Sequence, residues 1–277
     1  MLSIIVSSYQ KHYFDQFSKN VKETIGENFN YEIIQIWNPG LMGICEAYNK
    51  GAEQSKYENL LFVHEDILFE TEKWGKILIE YFKNSNIGCI GIAGSSAKTI
   101  YPIAWWNMKL YKFISINQLD DELDTKEFFR IKKDMPVTLL DGVFIAVTKN
   151  VWKEFKFNEE ENKSFHGYDI EFSLNVASKY QNYVSNKIIL THFSGGTLSQ
   201  EWFLQLVRIY RKKKFKFQSI KFETISVEWF LRHLINYPFT KKDKIRIFLQ
   251  FYNPFNYSII NNVRIIKLLL FYFKSKK

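Results

Sequence analysis

Apolar, β-rich runs occupy residues 2–7, 31–37, 59–63, 87–93 and 137–147. They read as strands buried on both faces of a sheet. Helical patterns at 15–25 and 43–55 separate the first three. Each is too long for a hairpin turn, so the order strand, helix, strand, helix, strand predicts right-handed crossovers and a mainly parallel sheet. Residues 72–84 form another amphipathic pattern, with Trp74, Ile77, Leu78, Tyr81 and Phe82 at helical spacing. The regularity breaks over 95–135, which holds Trp105, Trp106 and the acidic run Asp120, Asp121, Glu122 and Asp124. This stretch is expected to be an excursion that covers a site. Beyond it come a helix near 167–180, a short strand at 187–190 and a helix near 200–214. One domain is therefore expected over 1–220. Residues 221–277 follow as a basic, aromatic extension of two or three helices divided by Pro238 and Pro254.

Composition narrows the class. A 277-residue chain that is 46% hydrophobic and 24% charged can bury a full core, which excludes a disordered or linker protein. Cys45 and Cys89 lie far apart without metal-type spacing, which argues against a disulfide framework and a structural zinc site. The start of the chain lacks the basic, apolar and small-residue order of a signal peptide. The best apolar stretch, 265–273, is interrupted by Lys267 and is too short to span a bilayer. A cytoplasmic location follows, with the inner face of the membrane as a further option. The net charge of +9 is concentrated between Arg208 and Lys277. That asymmetry favours an anionic partner such as a membrane surface, with a self-association surface as the other reading. No nucleic-acid motif accompanies the charge, so nucleic acid is not expected as a partner.

Three clusters carry chemistry. The run ending at Val63 emerges as His64-Glu65-Asp66, at the strand end where ligands of parallel sheets bind. A carboxylate there suits Mg2+ or Mn2+ bridging a diphosphate, although acids after strands also cap helices. Gly167-Tyr168-Asp169-Ile170-Glu171 opens a helix, where Asp169 can take a proton from an acceptor hydroxyl or simply favour the helix N-terminus. His192, just past a short strand and before Ser194, Gly195 and Gly196, can complete a metal shell or serve only structure.

Taken in order, these segments resemble the family 2 glycosyltransferases and their relatives. The opening Leu2-Ser3-Ile4-Ile5-Val6-Ser7-Ser8-Tyr9 is similar to that family's first strand. Asn38, Gly43, Ala47, Asn49 and Gly51 resemble the helix before its metal motif. His64-Glu65-Asp66 falls at the DxD position with His in the first place, as in one glycosyltransferase-like subgroup. Asp141-Gly142 resembles the strand end beside the donor sugar, and Thr191-His192 the histidine segment after the last core strand. Two departures stand out: a complete DxD is absent, and Tyr168 replaces an acid. The resemblance covers residues 1–215.

It implies a GT-A fold: an α/β, Rossmann-like mixed, mainly parallel sheet flanked by helices, here with a C-terminal helical extension. It implies a donor site for a nucleoside-diphosphate sugar formed by Ser7, Tyr9, Asn38, Asn49, Glu65, Asp66, Asp141 and Gly142. A divalent cation, Mn2+ or Mg2+, is expected on Asp66, His192 and His64, and Asp169 as the base of an inverting transfer. The acceptor is expected to be a glycan or lipid-linked glycan of a bacterial surface, with Trp105, Trp106 and Glu171 as acceptor contacts; packing competes for the two tryptophans. The rival readings are a catalytically degenerate nucleotide-sugar binding module and a sugar nucleotidyltransferase.

Overall fold

The computed structural model describes residues 1–120, 125–193 and 198–274, with side chains for all of these except 120, 125–128 and 274. Asp121, Glu122 and Asp124, and the stretch from Ser194 through Gly195 and Gly196 to Thr197, lie outside the described residues. The chain forms two compact units. One comprises Met1–Ser96 and Tyr111–Thr197, the other Ala97–Leu110 and Leu198–Lys277. A division at residue 220 is thus not where the units part: the helix after residue 200 and part of the tryptophan-bearing excursion belong to the second unit.

The first unit is built on a seven-stranded sheet. Its order is Met135–Val137, Gln181–Val184, Ile87–Gly91, Phe144–Thr148, Asn59–Val63, Leu2–Ser8, Tyr31–Trp37. Leu2–Ser8 runs parallel to both neighbours, with Ser3 opposite Glu32 on one side and Leu60 on the other. Phe144–Thr148 runs antiparallel to both of its neighbours, so the sheet is mixed. The cause is local. Residues 137–147 do not continue as one strand, because the Asp141 side chain accepts the Val143 N–H at 3.0 Å and closes a turn at Asp141-Gly142.

Both faces of the sheet are covered, as its apolar runs predict. Leu2, Ile4 and Val6 pack with Phe17, Val21 and Trp74, whereas Ile5 packs with Tyr48 and Ala52, an alternation that strand geometry imposes. The covering helices are Lys11–Thr24, Ile44–Gln54 and Trp74–Tyr81. Gly51 lets the second approach closely, since a Cβ there would lie 2.3 Å from the Ile5 side chain. Two smaller sheets complete the unit. Leu139–Leu140, Ala93–Ser95 and Lys112–Ile114 form one; Ile67–Phe69, Leu190–His192, Ile116–Asp120 and Thr125–Phe129 form the other.

The second unit is helical: Gln200–Lys213, Ile220–Asn236, Lys241–Leu249 and Ile259–Lys274, with a 3-10 turn at Pro254–Asn256. Ser199, Ser219 and Thr240 cap the first three by accepting backbone N–H bonds. Glu223 is fully buried, and burial raises its pKa. It accepts from the Thr99 hydroxyl at 2.6 Å and from the Ile100 and Gln218 amides at 3.3 Å each. The buried carboxylate thereby ties residues 97–110 to the helices. Phe230 and Phe248 are buried in this unit's core.

Candidate functional site

The site grows from the carboxyl ends of three adjacent parallel strands. Leu2–Ser8 supplies Ser7 and, just beyond, Tyr9 and Gln10; Tyr31–Trp37 supplies Asn38; Asn59–Val63 supplies His64, Glu65 and Asp66. These residues line a cavity of about 570 Å³ together with Tyr13, Tyr48, Phe165, His166 and Tyr168. A cleft of this size beyond the ends of parallel strands accommodates a small organic ligand.

Each polar group at its edge has a traceable position. Asn38 accepts the Met42 N–H at 2.9 Å and donates to the Met42 carbonyl at 2.9 Å and to Ser7 Oγ at 3.3 Å, which shapes the loop after the second strand. Glu65 is buried, and its Oε1 accepts the backbone N–H groups of Tyr9 and Gln10, both at 3.0 Å. Its Oε2 is buried without a hydrogen-bond partner. An acceptor left bare at the edge of a cavity is what a ligand hydroxyl or amide would satisfy.

Asp66 and His192 meet through strand pairing. Leu190–His192 runs antiparallel to Ile67–Phe69 with His192 opposite Ile67, and the Phe193 amide donates to the Asp66 carbonyl at 3.0 Å. On its other side His192 pairs with Gln118 in parallel register. The Gln118 amide nitrogen faces the His192 carbonyl at 3.4 Å, so its Oε1, 3.1 Å from His192 Nδ1, accepts from the ring. Nδ1 therefore carries a ring proton. The other ring nitrogen, Nε2, is buried without a hydrogen-bond partner, 3.5 Å from Asp66 Oδ1. A ring nitrogen and a carboxylate oxygen held face to face in this way can share a cation.

His64 closes the group. Its Nδ1 lies 3.8 Å from Asp66 Oδ1, and its Nε2 lies 2.9 Å from the Tyr168 hydroxyl. His64, Asp66 and His192 each offer one ligand atom, all within 4.8 Å of one another. Burial opposes ionisation of Asp66, yet the facing imidazoles hold its pKa at about 2. Burial in turn lowers the pKa of His64, against the pull of Asp66. A carboxylate flanked by two imidazoles is a donor set suited to a divalent metal ion, and Gln118 supplies the outer bond that orients such a ligand.

Asp169 stands at the first turn of the helix Tyr168–Val176, and its Oδ2 accepts the Gly142 N–H at 3.0 Å. Burial, reinforced by the charge of Asp141, pushes its pKa up to about 7. A carboxyl poised near neutrality exchanges protons readily. Asp169 does not itself line the 570 Å³ cavity; its neighbour Tyr168 does. Gly142 is required by Tyr168, because a Cβ at 142 would lie 2.1 Å from the tyrosine hydroxyl.

Other residues proposed from sequence have different surroundings. The Asn49 side chain is buried and spent on Phe157, Glu159 and Trp152, so it pins its helix to the 157–159 turn. Glu171 is buried and accepts from Asn158 at 3.0 Å. Trp105 is buried within the second unit, edge-on to Trp106, and Trp106 stacks on Trp202. Gln118 and the hydroxyl of Tyr168 escape sequence reading: Gln118 sits in the irregular stretch, and Tyr168 reads there only as a lost acid.

Comparison with known proteins agrees with this geometry. The profile of the Glycosyltransferase like family matches residues 3–217. No curated protein matches the chain. Among solved structures, that of GalNAc-T7 with UDP, GalNAc and Mn2+ is similar in fold, with a TM-score of 0.53 and 10% identity over 90% of this chain. The match covers 54% of the GalNAc-T7 chain, so this chain spans about half the length of that neighbour. With the family profile running over most of the chain and a GT-A architecture beneath it, this protein belongs to the Glycosyltransferase like family.

Proposed function

We propose that the protein transfers a sugar from a nucleoside-diphosphate sugar to a hydroxyl of a saccharide or lipid-linked saccharide, with inversion, in the assembly of surface glycans. The observation that carries this reading is the His64, Asp66 and His192 group at the strand ends, with a buried imidazole nitrogen that lacks a hydrogen-bond partner, at the edge of a cavity large enough for a nucleotide. His64, Asp66 and His192 would hold a divalent ion, and two imidazole donors favour Mn2+ over Mg2+. When bound, the ion supplies positive charge against the departing diphosphate.

The chain's own groups do the rest. Ser7, Tyr9, Asn38 and Glu65 bind and orient the nucleoside, with Glu65 Oε2 as an acceptor for its hydroxyl or amide groups. Asp169, whose pKa is raised toward neutrality by burial and by the charge of Asp141, takes the proton of the acceptor hydroxyl. The acceptor oxygen forms its bond to the anomeric carbon as the bond to the diphosphate oxygen breaks, and the electron pair leaves with the phosphate. The Gly142 N–H orients Asp169 by its hydrogen bond, and the charge of Asp141 raises its pKa. The basic tail is consistent with a protein working at the inner face of a membrane, although no helix among the described residues is long and apolar enough to cross one.

The test is a product assay across nucleotide sugars with Mn2+ present. Release of a nucleoside diphosphate with formation of a glycoside is expected. Asp169→Asn should lower turnover by about 10² or more while donor affinity stays nearly constant. Release of pyrophosphate would make the protein a nucleotidyltransferase, and donor binding without turnover would make it a binding module.

A further inference from the structure

The last helix, Ile259–Lys274, uses one side for its own unit. Ile265 is fully buried, Tyr272 accepts from Arg232 Nε at 3.0 Å, and Asn262 donates to the Pro254 carbonyl at 2.9 Å. The side turned away from these is apolar and exposed. Ile259 and Ile260 are 82% and 81% exposed, Phe271 is 63% exposed, and Val263, Ile266 and Leu270 continue the surface along the helix. Spacings of three, four and seven residues put these six on a single broad face. Arg264 and Lys267 are exposed on the same arc. A contiguous apolar face on a surface helix marks an interaction site rather than scattered exposure.

Charge decides what covers it. Between Lys241 and Lys277 the sequence holds nine Lys and Arg residues and one acid, Asp243. In a symmetric dimer formed through this face, each copy would set its Arg264 and Lys267 against those of the other, with no acid on the helix to answer them. An anionic lipid surface answers both features: the apolar side chains enter the headgroup boundary while the basic ones reach the phosphates by extending along their stems.

We propose that helix Ile259–Lys274 is an interfacial membrane anchor, docking its Ile259, Ile260, Val263, Ile266, Leu270 and Phe271 face on anionic lipid. This rests on the reading of a protein that works at a membrane face, and it names the contact surface. The helix lies in the plane of the interface, since it is too short and too charged to span.

The full chain is mixed with vesicles of phosphatidylcholine alone and with vesicles containing about a third phosphatidylglycerol, then sedimented at low and high salt. Binding is expected to the anionic vesicles and to weaken with salt. Arg264→Gln with Lys267→Gln should weaken it about tenfold or more, and Ile260→Asp with Phe271→Asp should abolish it. These side chains are exposed, and a circular dichroism melt checks that the variants fold. Equal binding to neutral vesicles, or none at low salt, overturns the proposal. A concentration-dependent dimer in sedimentation equilibrium, dispersed by Phe271→Asp, would assign the face to a second copy and overturn it too. Nucleotide binding, followed separately, should be the same in the wild type and all four substitutions. Its failure would count against the sugar-transfer reading and not against docking.

Discussion

The two units treat buried polar groups in opposite ways. In the helical unit Glu223 is removed from water, and its oxygens meet the Thr99 hydroxyl and the amides of Ile100 and Gln218. In the sheet unit one buried oxygen of Glu65 and the buried Nε2 of His192 have no hydrogen-bond partner, and the half-buried Asp169 stands close to the charge of Asp141. Burial without a partner is destabilising, which is why the unpartnered groups at the cavity edge carry the proposed ligand site.

This contrast is open to direct attack. The largest effect on stability is expected from the satisfied carboxylate. Glu223→Ala leaves a hydroxyl and two amide donors in the second unit without their acceptor, and should lower unfolding free energy by about 3 kcal/mol or more in urea titrations. A loss below about 1 kcal/mol would break the comparison, because Glu223 would then hold nothing together.

A smaller effect is expected where the site is built by fit. Gly142→Ala places a methyl group 2.1 Å from the Tyr168 hydroxyl, so the hydroxyl must shift and its 2.9 Å contact with His64 is disturbed. Roughly 1–3 kcal/mol of stability should be lost, and Mn2+ affinity, read by titration calorimetry, should fall with it. Unchanged metal affinity would separate Tyr168 from the orientation of His64.

The smallest effect has the opposite sign. The folded pKa of Asp169, about 7, stands above its ordinary value of 3.8. Between those values the folded protein holds a proton that the unfolded chain has released. The stability contributed by that proton is complete below pH 4 and is lost as pH rises to about 7 and beyond. Asn at this position never ionises. Asp169→Asn should therefore melt at a higher temperature than the wild type at pH 8, by a few degrees, and by clearly less at pH 5. A variant that melts lower at pH 8 would show Asp169 to be a structural carboxylate of the Glu223 kind.

Much of this was legible in the sequence, for physical reasons that differ by element. The strand Asn59–Val63 is a buried run whose apolar stretch Leu60–Val63 has no polar interruption, so its end at His64 and the exit of Glu65 and Asp66 beyond the strand could be read directly. Helices Lys11–Thr24 and Ile44–Gln54 show in their periodicity. The three-residue strands Ile67–Phe69 and Leu190–His192 are too short to leave a pattern, yet their pairing sets His192 beside Asp66. Gln118 was hidden for the same reason, since its role comes from a register with His192 across 74 positions of chain. The turn at Asp141-Gly142 cut a run that reads as one strand. Residues 97–110 gave no sign that they pack with the tail, because the ties are side-chain contacts across more than 90 positions of chain, Thr99 with Glu223, Tyr101 with Tyr257, Trp106 with Trp202 and Asn107 with His233.

The most direct test of the central claim is a thermal-shift titration of the wild type and Asp66→Ala with uridine, guanosine, cytidine, adenosine and thymidine diphosphates, each with and without Mn2+. The account predicts that one base stabilises the wild type only when Mn2+ is present, by about 2.7 kcal/mol at a hundredfold excess over its dissociation constant, and that Asp66→Ala loses the effect. Stabilisation that survives without metal or in Asp66→Ala, or none with any nucleotide, would contradict it.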